Sequence, residues 1–370
     1  MHIQACLTAL DLERVINLDT VIFSGLFLIV VASLNLMYGY AGLPFLGGAA
    51  PMLAGGIAVS AITSRLTFLL AQWAGAPLLP YASEMDWVYN SEHNAKEVVN
   101  TYLEIRPALC IALIAFSIAT AMLLGAAAGW IVSRPAIHLK PQYLIISNLT
   151  LVLLAEYIGT RATLLSGGYM GVYVPDLLAF YGGDRRVAMA LITFTAASAV
   201  LLLTRRLRDS PYGRLLVAIR ENEATAASLG KNTTRVKETA ILVGSALMAV
   251  AGALVAIYYS FVVQANYQNA YWVYWPMCML IVGGAGNNLG VILGVLLIQA
   301  VRWMPVVFRD ELSFLFFPIA YLFNLLLSLI LLIFLILWPK GILKEKTRPI
   351  NMMSSKSVID QAQPLEDLDV

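Results

Sequence analysis

The 370-residue chain is poor in charge: Asp, Glu, Lys and Arg supply 12% of it, while hydrophobic residues supply 60%. An ordinary soluble domain is about half apolar and about a quarter charged, so this composition cannot give a soluble sphere its polar coat. Cysteine is scarce. Cys6, Cys110 and Cys278 are far apart, and neither a disulfide framework nor a metal-ligand spacing follows from them. His2, His93 and His138 are scattered too. The formal net charge is only +2, with no concentrated basic face of the kind that binds nucleic acid. The chain has no HExxH zinc motif and no G-x-S-x-G nucleophile elbow, so no metal, cofactor or catalytic centre is expected. A cleavable signal peptide is not expected either. Residues 1–20 carry Asp11, Glu13 and Asp19 and lack a basic leader.

Long apolar runs fill the space these absences leave. Residues 21–38, 108–132, 141–159, 187–204, 239–263 and 313–338 are almost free of charge. Each approaches the roughly 20 residues a helix needs to cross hydrocarbon. Backbone groups in lipid must satisfy one another, which leaves helices or closed barrels. The runs lack the period-2 alternation of a barrel strand, so helices follow. The expected fold is an all-α polytopic integral membrane protein of the cell membrane, with eight to ten membrane-penetrating helices. Within it, 1–20 is an N-terminal segment, 21–343 the transmembrane domain, and 344–370 a polar, aperiodic tail.

Cytoplasmic loops of membrane proteins carry excess Lys and Arg. Segment 205–238 holds Arg205, Arg206, Arg208, Arg214, Arg220, Lys231, Arg235 and Lys237. The tail after Trp338 holds Lys340, Lys344, Lys346, Arg348 and Lys356, and the link 134–140 holds Arg134 and Lys140. These regions, and with them the C-terminus, are expected in the cytoplasm. Segment 72–107 carries Glu84, Asp86, Glu92, Glu97 and Glu104 against Lys96 and Arg106, and is expected outside. One span separates 161–186 from 134–140, so 161–186 belongs outside too, where Arg185 and Arg186 fit poorly. Residues 66–81 are apolar and about a span long. Whether they cross decides the side of the N-terminus.

Two stretches stand apart. Residues 271–307 are apolar but broken at Gly283-Gly284-Ala285-Gly286-Asn287-Asn288. The pieces are short for full spans and read as a tight hairpin or a pair of half-helices. Non-helical backbone at membrane depth must be enclosed by protein or line a cavity, and in transporters such breaks lie near the path. Gly283, Gly284, Gly286 and Asn287, with Asn35 from the first span, are therefore the path candidates. Asn148, Gln299 and Asn324 are further polar residues in apolar runs, where joining helices is the usual role. Glu156 lies near the outer end of its span.

The second stretch is 205–238. Ser210-Pro211 is a helix start, a serine N-cap with proline at the first helical position. Leu215, Ile219, Ala226 and Leu229 then recur on one face, and Gly230 supplies a stop. Thr233 or Thr234 is a candidate cap for the next helix. This amphipathic element either rests on lipid or docks a partner. Glu221 and Glu223 oppose Arg214 and Arg220, a mixed surface that favours a protein.

Ser210-Pro211-Tyr212-Gly213-Arg214, Ala218-Ile219-Arg220-Glu221-Asn222-Glu223-Ala224 and Ala227-Ser228-Leu229-Gly230-Lys231-Asn232 resemble the coupling segment of the branched-chain amino-acid ABC transporter permeases, closest to the M-type subunit. Asn35-Leu36-Met37-Tyr38-Gly39-Tyr40-Ala41-Gly42-Leu43, Ser166-Gly167-Gly168-Tyr169-Met170-Gly171, Val282-Gly283-Gly284-Ala285-Gly286 and Trp338-Pro339-Lys340-Gly341-Ile342-Leu343 resemble its other motifs, in order. The likeness covers about residues 20 to 345. Gly48 stands where the family often has histidine, and segment 72–107 is longer than usual.

The resemblance implies a permease half that pairs with a second homologous permease. Two cytoplasmic ABC ATPases would dock on Arg214, Arg220, Glu221, Glu223, Ala224, Ala227 and Gly230. An extracytoplasmic binding protein would deliver branched-chain amino acids, or another amino acid, urea or an amide. The chain has no P-loop, since its Gly230-Lys231 pair has Thr225 where the first glycine should stand. The competing classes are an ion- or proton-coupled carrier and a purely structural membrane subunit. The carrier would normally bury several ionisable residues at mid-membrane, and these runs are nearly free of them.

Overall fold

The computed structural model describes residues 18–307 apart from 82, 137, 138 and 140, together with 319–338 and 341–345. The N-terminal segment before residue 18 and the tail from 346 lie outside the described residues.

The apolar runs form helices, and their order is that of the chain. Helix α1 spans Leu18–Tyr40, α2 Ala49–Trp73, α3 Pro107–Ala136, α4 Pro141–Arg161 and α5 Arg185–Asp209. The short helices α6 (Pro211–Glu221) and α7 (Glu223–Ser228) follow. Then come α8 (Thr233–Tyr259), α9 (Trp275–Gly283), α10 (Asn288–Val307) and α11 (Ile319–Leu337). Six helices are long and apolar enough to cross a membrane. A bent pair, Gln264–Gly283 with Asn288–Trp303, turns through 118° and brings the count to seven if it is one span. Among the described residues the tally is thus six or seven, short of the expected eight to ten. That expectation took each limb of the pair, and the run ending at Trp338, as separate penetrations.

The second span differs from expectation. Helix α2 starts at Ala49, and residues 66–73 are its last turns rather than the start of a new crossing. A π-helical segment, Ala58–Thr63, carries it past its middle. The run 49–62 is rich in Ala and Gly, which masked a span whose backbone lies close to its neighbour. A Cβ on Gly252 of α8 would stand 2.1 Å from the Met52 carbonyl oxygen. Small residues permit such contact, and close backbone approach is what joins helices in lipid. Helices α1 and α8 are buried along most of their length, whereas α3, α4 and α5 leave leucines and isoleucines such as Leu123, Ile146, Leu153 and Leu202 exposed. Exposed apolar faces of this extent fit lipid or a partner subunit rather than water.

The bundle has two chemically different ends. At one end Tyr258 donates to Asp19 at 2.9 Å, and Arg185 pairs with Asp176 at 2.6 Å. Strands β1 (Val172–Tyr173) and β2 (Phe261–Val262) pair antiparallel here. Segment 72–107 folds over this end as short helices. Ser83 and Asp86 form a capping box, Asn94 accepts from the Leu79 amide at 2.8 Å, and Asn100 accepts from that of Asp176 at 2.8 Å. The poor fit of Arg185 and Arg186 at this end thus has a local remedy. Asp176 neutralises the first, and Asp19 lies 3.8 Å from the second. Glu156 accepts from the Asn269 amide at 3.4 Å. At the opposite end Arg134 pairs with Glu238 at 3.2 Å, and α6 and α7 pack beneath the ends of α1, α5 and α8.

Candidate functional site

Segment 205–238 builds its shape from local caps. The Gly213 amide donates to Ser210 Oγ at 3.2 Å, and Pro211 occupies the first turn, where its missing N–H costs nothing. Asn222 then leaves helical geometry and accepts from the Thr225 amide at 3.0 Å, which splits the expected single helix into α6 and α7. The next helix is capped by Asn232, which accepts from Arg235 N at 3.0 Å, and not by Thr233 or Thr234. Gly230 carries φ +76°, the left-handed stop expected of it.

The buried face is Gly213, Leu216, Ile219 and Ala226. Leu215 is half-buried and Leu229 is 74% exposed, so the expected apolar stripe is only partly right. The break at Asn222 rotates α7 relative to α6 and turns Leu229 outward. Arg214, Glu221, Glu223, Ala224, Ala227 and Gly230 are exposed. They form a mixed charged and apolar face carrying one large unpacked leucine. Glu223 also reaches Lys237 at 2.5 Å, and Tyr212 donates to the Val236 carbonyl at 2.9 Å, which ties both short helices to α8.

Arg220 departs from expectation. It is half-buried and turned inward. It donates to the Gly39 carbonyl at the end of α1, pairs with Glu345 at 2.7 Å and reaches Glu221 at 2.9 Å. Burial works against its charge, but the Glu345 and Glu221 carboxylates outweigh burial and hold its pKa above the usual arginine value. Glu345, expected to lie in the polar, aperiodic tail that starts at 344, is part of this anchor. Just before it, the Ile342 and Leu343 amides donate to the carbonyls of Val282 and Gly283 at 3.0 and 3.1 Å. The C-terminal stretch therefore bridges the coupling segment and the glycine break.

The break lies at the same end of the bundle. Asn35, fully buried in the π-helical turn Asn35–Tyr40, accepts from the Gly286 amide at 2.8 Å and donates to Asn288 Oδ1 at 3.1 Å. The Tyr40 hydroxyl donates to the same Asn288 oxygen at 2.6 Å. Asn287 donates to the Lys344 carbonyl at 3.2 Å and accepts from the Leu289 amide at 3.0 Å. A Cβ on Gly283 would lie 2.0 Å from the Gly290 carbonyl oxygen, so α9 and α10 meet backbone to backbone. Of the path candidates, Asn35, Gly283 and Gly286 serve to hold the turn. Asn287 also lines a cavity of about 430 Å³, with Leu201, Arg205, Arg208, Asp209 and Asn288.

Sequence reasoning missed Asn288, Glu345 and Arg302. Arg302 is the single charged residue in 271–307, a signal that could have exposed it. Its guanidinium stands over the rings of Phe23, Phe27, Tyr271 and Trp275. Among the described residues no group of His, Cys, Asp and Glu could hold a metal ion.

Buried helices crossing side by side, a glycine-pinned bent pair and a capped, outward-facing short helix pair at one end mark a multi-pass membrane protein. The chain belongs to the family described as branched-chain amino acid transport system / permease component, whose model matches residues 16–337. It is similar to the "Probable branched-chain amino acid transport permease protein LivM" of Methanocaldococcus jannaschii, at 32% identity over 87% of this chain and 91% of that protein. Similarity extends to the high-affinity branched-chain amino acid transport system permease protein LivM of Escherichia coli K12, at 26% identity over 61% of this chain and 56% of that one. The corresponding LivH protein of the same organism is 29% identical over 40% of this chain and 51% of its own length. No solved structure matches the chain.

Proposed function

We propose that this chain is one permease half of an ATP-driven ABC importer. It translocates branched-chain amino acids or a related small polar solute, another amino acid, urea or an amide, handed over by an extracytoplasmic binding protein. The α6–α7 end faces the cytoplasm together with the C-terminus, in keeping with its excess of Lys and Arg. The folded acidic segment 72–107 faces the binding protein. A second homologous permease completes the path.

The observation that carries this reading is the α6–α7 pair. Its exposed face, with Arg214, Glu221, Glu223, Ala224, Ala227 and Gly230, is the docking surface for a cytoplasmic ATPase, and Leu229 is its apolar knob. Arg220 transmits rather than docks. Through Glu345 and the 341–345 stretch it joins the docking surface to the glycine break. Closure of two docked ATPases on ATP then moves the α9–α10 turn and the cavity beside Asn287.

Gentle purification of the tagged chain, identification of its partners, and uptake assays in proteoliposomes test this. The expected result is recovery of two ATPase subunits and a second permease, with leucine uptake that needs ATP and a binding protein. Uptake by the chain alone, surviving without ATP but collapsing with an ion gradient, would make it a secondary carrier.

A further inference from the structure

Arg302 is not used by any part of the coupling machinery. It sits about 21 Å along α10 from Asn288 at ~1.5 Å per residue, toward the Asp19 end of the bundle and within an otherwise uncharged apolar run. An ionisable side chain at membrane depth is costly and marks a functional site unless paired. No carboxylate pairs with Arg302 among the described residues. Four aromatic rings surround it instead, with centroids at 5.6 Å (Phe23), 6.0 Å (Phe27), 5.1 Å (Tyr271) and 5.2 Å (Trp275). Ring faces attract a cation, and the Tyr271 hydroxyl engages one guanidinium donor, which leaves the others open.

Further polar groups stand nearby on α1, which carries Phe23 and Phe27, and on α10, which carries Arg302 itself. Gln299 is 3% exposed, and its Nε2 reaches Ser24 Oγ at 3.4 Å. Gln299 Oε1, Trp303 Nε1 and Thr20 Oγ1 are buried without a hydrogen-bond partner among the described residues. Thr20, Phe23, Ser24 and Phe27 follow the spacing of one helix face on α1, and Gln299, Arg302 and Trp303 do so on α10. Buried polar atoms are nearly always partnered, so several orphans together ask for a ligand. Their chemistry is mixed. A guanidinium and an indole N–H donate, an amide oxygen accepts, a hydroxyl does either, and the walls are aromatic.

We propose that Arg302, Gln299 and Trp303 form a recognition point for a zwitterionic amino acid on the transport path, with carboxylate on Arg302 and Trp303, ammonium on Gln299 Oε1, and aliphatic side chain against Phe23, Phe27 and Trp275. This inference rests on the importer reading above. It places substrate contact at the Asp19 end of the bent pair, remote from the glycine turn.

The test uses the whole complex in proteoliposomes with its binding protein. Leucine uptake and ATP hydrolysis stimulated by leucine-loaded binding protein are measured side by side for wild type, Arg302→Gln, Arg302→Lys and Gln299→Leu. Assembly is checked by co-elution of the partners. Leucine moved per ATP should fall at least about tenfold in Arg302→Gln, the loss of one charge-assisted contact. Stimulated hydrolysis should stay within about twofold of wild type, because the α6–α7 face is untouched. Arg302→Lys should recover part of the uptake and Gln299→Leu should lose several-fold. Unchanged leucine per ATP in Arg302→Gln would overturn the inference alone. So would normal uptake in both Arg302→Lys and Gln299→Leu if Arg302→Gln merely fails to assemble, for then the arginine is a membrane-interface anchor. Absence of ATP-driven uptake in wild type would overturn the importer reading and this inference together.

Discussion

Arg220 and Glu345 offer the sharpest test of how the coupling segment talks to the bundle. The two side chains meet at 2.7 Å and each is 23% exposed, so solvent screens the pair only in part. A net charge-assisted hydrogen bond of this kind contributes about 1.5–3 kcal/mol, and stranding its partner costs a similar amount. Arg220→Ala also removes the contact to the Gly39 carbonyl, so roughly 2–3 kcal/mol of local stability should go. At about 1.4 kcal/mol per decade, this is a roughly 30- to 140-fold rise in local opening. Amide hydrogen exchange in nanodiscs reads such openings directly. Peptides covering 211–221 should exchange faster by that factor in Arg220→Ala. Those covering 283–288 and 341–345 should follow, since Ile342 and Leu343 hold the carbonyls of Val282 and Gly283. Glu345→Ala should reproduce much of the effect. The double variant should be no worse than Arg220→Ala, the signature of coupled partners. Acceleration confined to 211–221, or strict additivity of the two single variants, would refute the transmission role.

Other outcomes follow from the same geometry. Gly294→Val should cost about 1–3 kcal/mol or more of thermal stability. Its Cβ would sit 2.0 Å from the Met279 carbonyl oxygen, and a melting curve equal to wild type would rule out the tight α9–α10 contact. Leu229→Asp should leave folding and membrane insertion intact while stopping ATPase co-purification, and retention of the ATPase would remove Leu229 from the docking face. Asn35→Leu strands the buried Gly286 N–H and should destabilise by about 1–3 kcal/mol, seen as a lower melting temperature in detergent. Burial pushes the Tyr212 hydroxyl from 10.0 up to about 12, and its neutral form donates to Val236. With the folded value raised, its stabilisation is complete below pH 10 and is lost as pH climbs toward 12. Tyr212→Phe should lose about 1 kcal/mol at pH 8 and show a smaller further loss of stability between pH 10 and 12 than wild type.

What could be read without coordinates is whatever depends on neighbours along the chain. Apolar runs specify buried helices because lipid offers the backbone no hydrogen bonds. Ser210-Pro211 and Gly230 mark helix ends because capping is a contact over a few residues. Even locally there were misses. Asn232 outcompeted the threonines after it, and Asn222 broke a helix whose apolar periodicity ran straight through. The start of α2 is hard to read as a span because its alanines and glycines carry less apolar bulk than a leucine-rich run, although the whole helix is apolar enough to cross.

Tertiary structure alone decided which polar residues meet. Asn35 finds Gly286 and Asn288, Arg220 finds Gly39 and Glu345, and Arg302 finds Phe23 and Phe27, each across a long separation in sequence. Periodicity assigns a residue to a face but not the face to a partner. The glycine motif announced a break, yet its level in the bundle came from Asn35, Tyr40 and the 341–345 stretch closing on it. The sequence by itself determined that this chain is a membrane bundle with a capped segment at one end. The fold determined that one arginine of that segment points inward, and that an arginine within an apolar run stands in a cage of rings, because only packing brings distant side chains within bonding distance.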